Sequence, residues 1–211
     1  MTTILLVRHG ESKTNSKDIF SGHFNTPLTK MGKKQAHLTA EYISQNFKVD
    51  KIYSSDLKRA YYTAKCVAKR CKVKIEKDSR LREIFAGEWE CQKGDDLLKR
   101  EDYKPWLTDI ATARPTGGES VKEMADRVFT AVNEIARLNP NKTIVITAHG
   151  TPIRVMQSLV RCGTLEQTKD IPWVSNASVS IFEFDNGVWI EKAVSLDSHL
   201  QGMVTKVSNK F

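Results

Sequence analysis

The sequence predicts an α/β protein, a three-layer α/β/α sandwich with a mostly parallel central sheet and an antiparallel hairpin at or near one edge. Two observations predict it. Short apolar runs alternate with segments of helical periodicity along the chain, and an Asn-Gly pair near the C-terminus sits between two alternating strands. The 211 residues contain no internal repeat, low-complexity tract or linker, so one domain over 1–211 is expected.

Thr3 to Val7 reads as a buried strand that runs into the loop Arg8-His9-Gly10. Behind the loop-like Asn25-Thr26-Pro27, the recurrence of Ala36, Ala40, Ile43 and Phe47 predicts a helix. Lys51 to Tyr53 is a second short strand. Ser54-Ser55-Asp56 offers cap residues for a helix whose apolar face is Leu57, Ala60, Ala64, Val67, Ala68 and Cys71. Val73 and Ile75 alternate as a third strand. After a mixed segment from Arg80 to Pro115, Gly117-Gly118 precedes Ser120-Val121-Lys122-Glu123, a capping box opening a helix with Val121, Met124, Ala125, Val128, Val132 and Ile135 inward. Thr143 to Thr147 is an apolar strand, Ala148-His149-Gly150 turns, and Thr151-Pro152 offers an N-cap with proline at the first helical position. Val179, Ile181, Val188 and Ile190 flank Asn186-Gly187, the chemistry of a tight hairpin turn.

Composition narrows the function. Hydrophobic types at 40% and charged types at 27% suit a globular core that needs neither disulfide nor metal. No apolar run reaches bilayer length, and Met1 to Val7 lacks the pattern of a signal peptide, so a cytoplasmic protein without a membrane partner is expected. Cys66, Cys71, Cys91 and Cys162 show no zinc-ligand spacing and read as reduced structural thiols. The net charge of +8 and the cluster Lys69, Arg70, Lys72, Lys74 and Lys77 admit a nucleic-acid reading or a solvated helix end. No zinc finger or aromatic platform accompanies them, so the expectation is no nucleic-acid partner and a small anionic ligand instead. No H-E-x-x-H, calcium loop, carboxylate cluster, Walker loop or dinucleotide glycine fingerprint occurs, so no metal and no cofactor are expected. The sequence carries no signal for an oligomeric state.

Arg8-His9-Gly10 and His149-Gly150 both follow apolar strands, where open α/β sheets place ligands in the crevice beyond the strand ends. A lone histidine after a strand is usually structural. Two that precede glycine at strand ends, one of them beside an arginine, point to a shared site.

With these blocks the chain resembles the histidine phosphatase superfamily, also called phosphoglycerate mutase-like. The resemblance rests on the order of Leu5-Leu6-Val7-Arg8-His9-Gly10-Glu11-Ser12, Asn15, Gly22, Pro27-Leu28-Thr29, Gly32, Gln35-Ala36, Tyr53-Ser54-Ser55-Asp56-Leu57-Lys58-Arg59-Ala60, Leu81-Arg82-Glu83, Gly87-Glu88-Trp89, Gly118-Glu119-Ser120 and Ala148-His149-Gly150. It implies that His9 is a nucleophile that becomes phosphorylated, that Arg8, Arg59 and His149 surround the phosphoryl oxygens, and that Glu83 is the proton donor. The physics agrees, because phosphoryl transfer needs a positioned nucleophile and stabilisation of the charge on the equatorial oxygens. Neighbouring guanidinium groups would also keep His9 unprotonated at the attacking nitrogen.

By the same resemblance Asn15, Ser21 and Gly22 line the phosphate pocket, although turn preferences explain each equally well. Thr151, beside His149-Gly150, either aims its backbone N–H at an anion or caps a helix. His23, Phe24, Phe85, Trp89, Trp106 and His199 are candidates for the leaving-group pocket, against a reading as core or lid packing. The implied activity is hydrolysis of a small phosphorylated metabolite. Arg100 and Arg114 stand apart between Trp89 and Gly118, without the consecutive arginines of the family's mutases, so phosphatase is favoured over mutase. A phosphate-binding scaffold that has lost catalysis is the alternative from another class.

Overall fold

A computed structural model describes residues 1–205. Its six strands are β1 (Thr2–Arg8), β2 (Lys51–Ser54), β3 (Ile75–Lys77), β4 (Thr143–Ala148), β5 (Val179–Asp185) and β6 (Val188–Leu196). They form one sheet in the order β3-β2-β4-β1-β5-β6, parallel from β3 to β1, with the β5–β6 hairpin antiparallel at the edge. The helices are α1 (Lys30–Asn46), α2 (Lys58–Cys71), α3 (Gly94–Leu97), α4 (Lys104–Thr108), α5 (Val121–Leu138) and α6 (Gly150–Cys162).

Side chains alternate across a strand, so β1 supplies both layers. Leu5 and Val7 pack with Ala36, Ala40 and Ile43 of α1 and with Ala64 and Val67 of α2. Ile4 and Leu6 share a cluster with Val128 and Val132 of α5 and with Ile153 and Met156 of α6. These are the three layers the periodicity predicts. The capping box forms as read: Ser120 Oγ accepts from the Glu123 N–H at 3.1 Å, and Glu123 Oε2 accepts from the Ser120 N–H at 2.8 Å.

Several local expectations are corrected. Ser54-Ser55-Asp56 does not cap α2, because those side chains have other partners; Asn25 Oδ1, from a distant loop, accepts from the Lys58 N–H at 2.8 Å instead. Asp56 pairs with Arg82. Strand β3 omits Val73, whose N–H closes the end of α2 on the Ala68 carbonyl after Lys72 adopts a left-handed conformation at φ 58. Thr151 is not the N-cap of α6. His149 holds that place in extended backbone, and Thr151 and Pro152 lie inside the first turn. The segment from Arg80 to Pro115 wraps Trp89, Tyr103 and Trp106 against Phe20. Trp89 is therefore core, fully buried with its indole N–H on Asp102 Oδ2 at 2.9 Å, and not part of a leaving-group pocket.

The loop after β1 is held against the start of α1 by two glycines that nearly touch. A Cβ on Gly10 would lie 2.3 Å from the Gly32 carbonyl oxygen, and one on Gly32 would lie 2.0 Å from that of Glu11. Nothing larger than hydrogen fits at either position without moving backbone. Gly32→Ala is expected to lower stability by about 1–3 kcal/mol, read as a fall in the urea midpoint at unchanged m-value. An unchanged midpoint would show that this approach does not constrain the loop.

Candidate active site

Register brings the two histidines together. Arg8 on β1 pairs with Ala148 on β4, and the His9 N–H donates to the Ala148 carbonyl at 3.1 Å. His9 and His149 thus leave adjacent strand ends with ring centres 5.2 Å apart, edge to face. The His9 carbonyl accepts from the Asn176 side-chain amide and from the Ala177 N–H, each at 3.1 Å, and the Gly10 N–H reaches Thr63 Oγ1 on α2 at 3.2 Å.

The His9 ring is fixed at both nitrogens. Nδ1 lies 2.7 Å from the Gly10 carbonyl oxygen, which only accepts, so Nδ1 carries the proton. Arg59 Nε–H donates to Nε2 at 3.2 Å, so Nε2 presents its lone pair. Burial and the Arg59 and Arg8 charges hold the His9 pKa well below its ordinary 6.5. The same forces, burial first and then Arg59, lower that of His149. His149 Nε2 meets Ser55 Oγ at 2.8 Å, while its buried Nδ1 has no partner among the described residues.

Two buried guanidiniums flank His9. Arg59 is 1% exposed and spends Nη1 on the Phe24 carbonyl at 3.0 Å and Nη2 on the Gly22 carbonyl at 2.8 Å. Arg8 Nη1 donates to the Val174 carbonyl at 2.5 Å, and its buried Nε has no partner among the described residues. Desolvation brings each guanidinium pKa down to about 10, so both stay cationic at neutral pH. Glu83 faces them across the cleft, its carboxylate accepting from the Ile84 N–H at 3.0 Å and from the Thr151 N–H at 3.3 Å in the first turn of α6. Arg127 of α5 holds that segment by donating to the carbonyls of Arg80 and Arg82 at 2.8 Å and of Glu83 at 2.7 Å.

The cleft between these groups, with an empty volume of about 630 Å³ including its open mouth, gathers most of the predicted residues. Arg8, His9, Asn15, Ser21, Gly22, Arg59, Glu83, Trp106, Gly150 and Thr151 all line it. Asn15 Oδ1 accepts from the Ser12 N–H and hydroxyl, which orients the amide. Gly22 is glycine because φ is 48 and an added Cβ would lie 2.5 Å from Glu90 Oε1. His149 is fully buried, with its ring edge-on to His9.

Other specificity candidates fall away from it. His23 supports Glu83 by donating Nε2–H to its carbonyl at 2.8 Å and packs against Phe85, which is 42% exposed. Phe24 is exposed and contributes its carbonyl to Arg59. His199 stacks on Tyr42 at 4.8 Å with Nε2 between Thr39 Oγ1 and the Ala177 carbonyl, a packing role. Sequence reasoning missed Asp18, Ile19, Phe20, Trp173 and Asn176, which line the cleft without any pattern of their own, and Ser55, taken for a cap. The block Tyr53-Ser54-Ser55-Asp56 was the one signal for Ser55.

Comparison with known proteins assigns the family. The family model of the histidine phosphatase superfamily (branch 1) matches residues 4–197. The chain is 33% identical to phosphoglycerate mutase-like protein 4 of Arabidopsis thaliana over 94% of its own length and 86% of that protein. It is 30% identical to phosphoserine phosphatase 1 of Hydrogenobacter thermophilus, with 95% of each chain covered. A phosphoserine phosphatase from Entamoeba histolytica, solved as a His-to-Ala mutant in complex with phosphoserine, superposes with a TM-score of 0.85 at 27% identity, covering 95% of this chain and all of that one.

The lowered histidine pKa values have a consequence for stability. Between the folded values and 6.5 the unfolded chain binds protons that the folded chain refuses, so the contribution of His9 and His149 is intact above 6.5 and lost as pH falls through that window. The urea midpoint is expected to drop from about pH 7 to about pH 5, with a shallower slope in His149→Gln. In ring NMR spectra neither histidine should titrate near 6.5; a midpoint there for His9 would contradict its electrostatic setting.

Proposed function

Because the chain belongs to the histidine phosphatase superfamily, branch 1, we propose that it hydrolyses a small-molecule phosphomonoester through a phosphohistidine on His9. The observation that carries this reading is the His9 ring itself, neutral, locked in one tautomer by Gly10, with its Nε2 lone pair beside two buried guanidiniums. Relatives that act as phosphatases support the same class of substrate.

His9 Nε2 attacks phosphorus as the P–O bond to the alcohol breaks. Arg59 and Arg8 stabilise the charge on the equatorial oxygens, where fixed donors in a water-poor site act strongly. The incoming phosphoryl oxygens take over the Arg59 bond that covers Nε2 in the free site. Nδ1 of His149 and the amide of Asn15 complete the cradle. Glu83 gives its proton to the departing alkoxide, then accepts one from the water that cleaves the P–N bond, which releases inorganic phosphate and restores neutral His9.

Hydrolysis is favoured over mutase chemistry by where the intervening arginines go. Arg100 pairs with Glu88 and Asp102, and Arg114 with Glu123, so neither lines the cleft to retain a carboxylated intermediate. The five groups Arg8, His9, Arg59, Glu83 and His149 are all present, which speaks against a scaffold without activity. We further place the enzyme in the cytoplasm and expect it to need no metal.

Rapid quench with radiolabelled ester in the presence of EDTA tests the mechanism. An acid-labile, base-stable label on His9, lost in His9→Ala together with turnover, is expected; turnover by His9→Ala near the wild-type rate would refute it. Glu83→Gln should slow an alkyl phosphate by about 100-fold or more and p-nitrophenyl phosphate far less, since nitrophenolate leaves without a proton. Equal slowing of both would remove Glu83 from the acid role.

A further inference from the structure

Beyond the phosphoryl end, the cleft is aromatic. A Cβ on Gly150 would lie 3.3 Å from the Trp173 ring and 3.5 Å from the Arg8 guanidinium, so ring and cation flank a single backbone position. From Trp173 the wall continues to Trp106, ring centres 6.3 Å apart, and from Trp106 to Phe20 at 5.4 Å. Ile19 adds to the same lining. The wall is set in advance. Arg154 of α6 stacks on Trp173 at 4.5 Å from its centroid and donates to the carbonyls of Ile171 at 2.6 Å and Lys169 at 3.0 Å.

Charge is divided along the cleft. Among the described residues, Arg8 and Arg59 are the cationic side chains that line it, and both flank His9. At the aromatic end the lining charge is a carboxylate, Asp18, two residues before Phe20; burial first and then Asp18 raise the pKa of the Tyr103 phenol, whose ring packs on Phe20 and Trp106. An alcohol bearing a carboxylate would have to shed its water against these rings and come near the Asp18 carboxylate. A flat, uncharged group would instead bury apolar surface against the indoles.

We infer that this cleft selects phosphomonoesters of uncharged, flat-faced alcohols over those of carboxylated alcohols such as serine and glycerate. The inference rests on the phosphatase reading and specifies the substrate class of that same site.

Benzyl phosphate, O-phospho-L-serine and 3-phosphoglycerate all release a primary alkoxide, so their kcat/KM values compare leaving-group recognition. Benzyl phosphate is expected to lead by about tenfold or more. Trp173→Leu and Trp173→Ala should each reduce that lead by about tenfold while inhibition by inorganic phosphate changes less than about twofold, which reports an intact phosphoryl end. Calorimetry with 2-phenylethylphosphonate and 2-amino-4-phosphonobutanoate reads the same preference without turnover. A phenyl preference in binding with no hydrolysis of any ester would leave this inference standing and remove the phosphatase reading. Equal or better use and binding of the carboxylated compounds would overturn the inference.

Discussion

A neutral imidazole held between a carbonyl that accepts from one nitrogen and a guanidinium that donates to the other is the constraint from which the site is built. The Gly10 carbonyl and Arg59 Nε leave His9 with a single tautomer and a single lone pair, on Nε2 beneath the Arg59 N–H. That geometry requires the chain to turn sharply after β1 and requires α2 to deliver Arg59 into the interior. The contact of Gly10 with Gly32 secures the first requirement. The inward face of α2, where Arg59 lies beside Ala60, Thr63 and Ala64, secures the second.

Burying two guanidiniums beside each other has an electrostatic cost that the loops offset. A buried cation without partners is strongly destabilising, whereas one that saturates backbone carbonyls is tolerated. Arg59 collects the carbonyls of Gly22 and Phe24, and Arg8 that of Val174. The arginines therefore position the rim of the cleft as well as its charge, and the loops they gather contribute Ser21 and Gly22 on one side and Trp173 on the other. The balance leaves room for an anion, since Arg8 Nε and His149 Nδ1 are buried without partners among the described residues.

Glu83 illustrates how one carboxylate is held from several directions at once. Its side chain meets the first turn of α6 through Thr151, and its backbone carbonyl is held by His23 and by Arg127 of α5. Arg127 in turn pairs with Glu119, just upstream of the capping box that starts α5. The acid proposed for catalysis thus depends on where two helices begin.

Much of this was legible in the residues alone, because the signals are local. Strand β1 entering Arg8-His9, the Ser120–Glu123 capping box and the Asn186-Gly187 hairpin each follow from neighbours in the chain, and backbone sterics and capping act over a few residues. The order of sequence blocks likewise singled out Arg8, His9, Arg59, Glu83 and His149, which the fold brings close together. What the tertiary structure decided is which distant partner each side chain meets. Ser55 reads as a helix cap yet bonds His149, 94 positions away. Trp89 and Trp106 read alike, yet one is sealed in the core and the other borders the cleft beside an unforeseen Trp173. His199 looks available for binding and is instead stacked on Tyr42. Composition and periodicity record which face of an element is apolar, but which side chains share a cavity depends on strand order and loop paths, and those are set only when the whole sheet closes its layers.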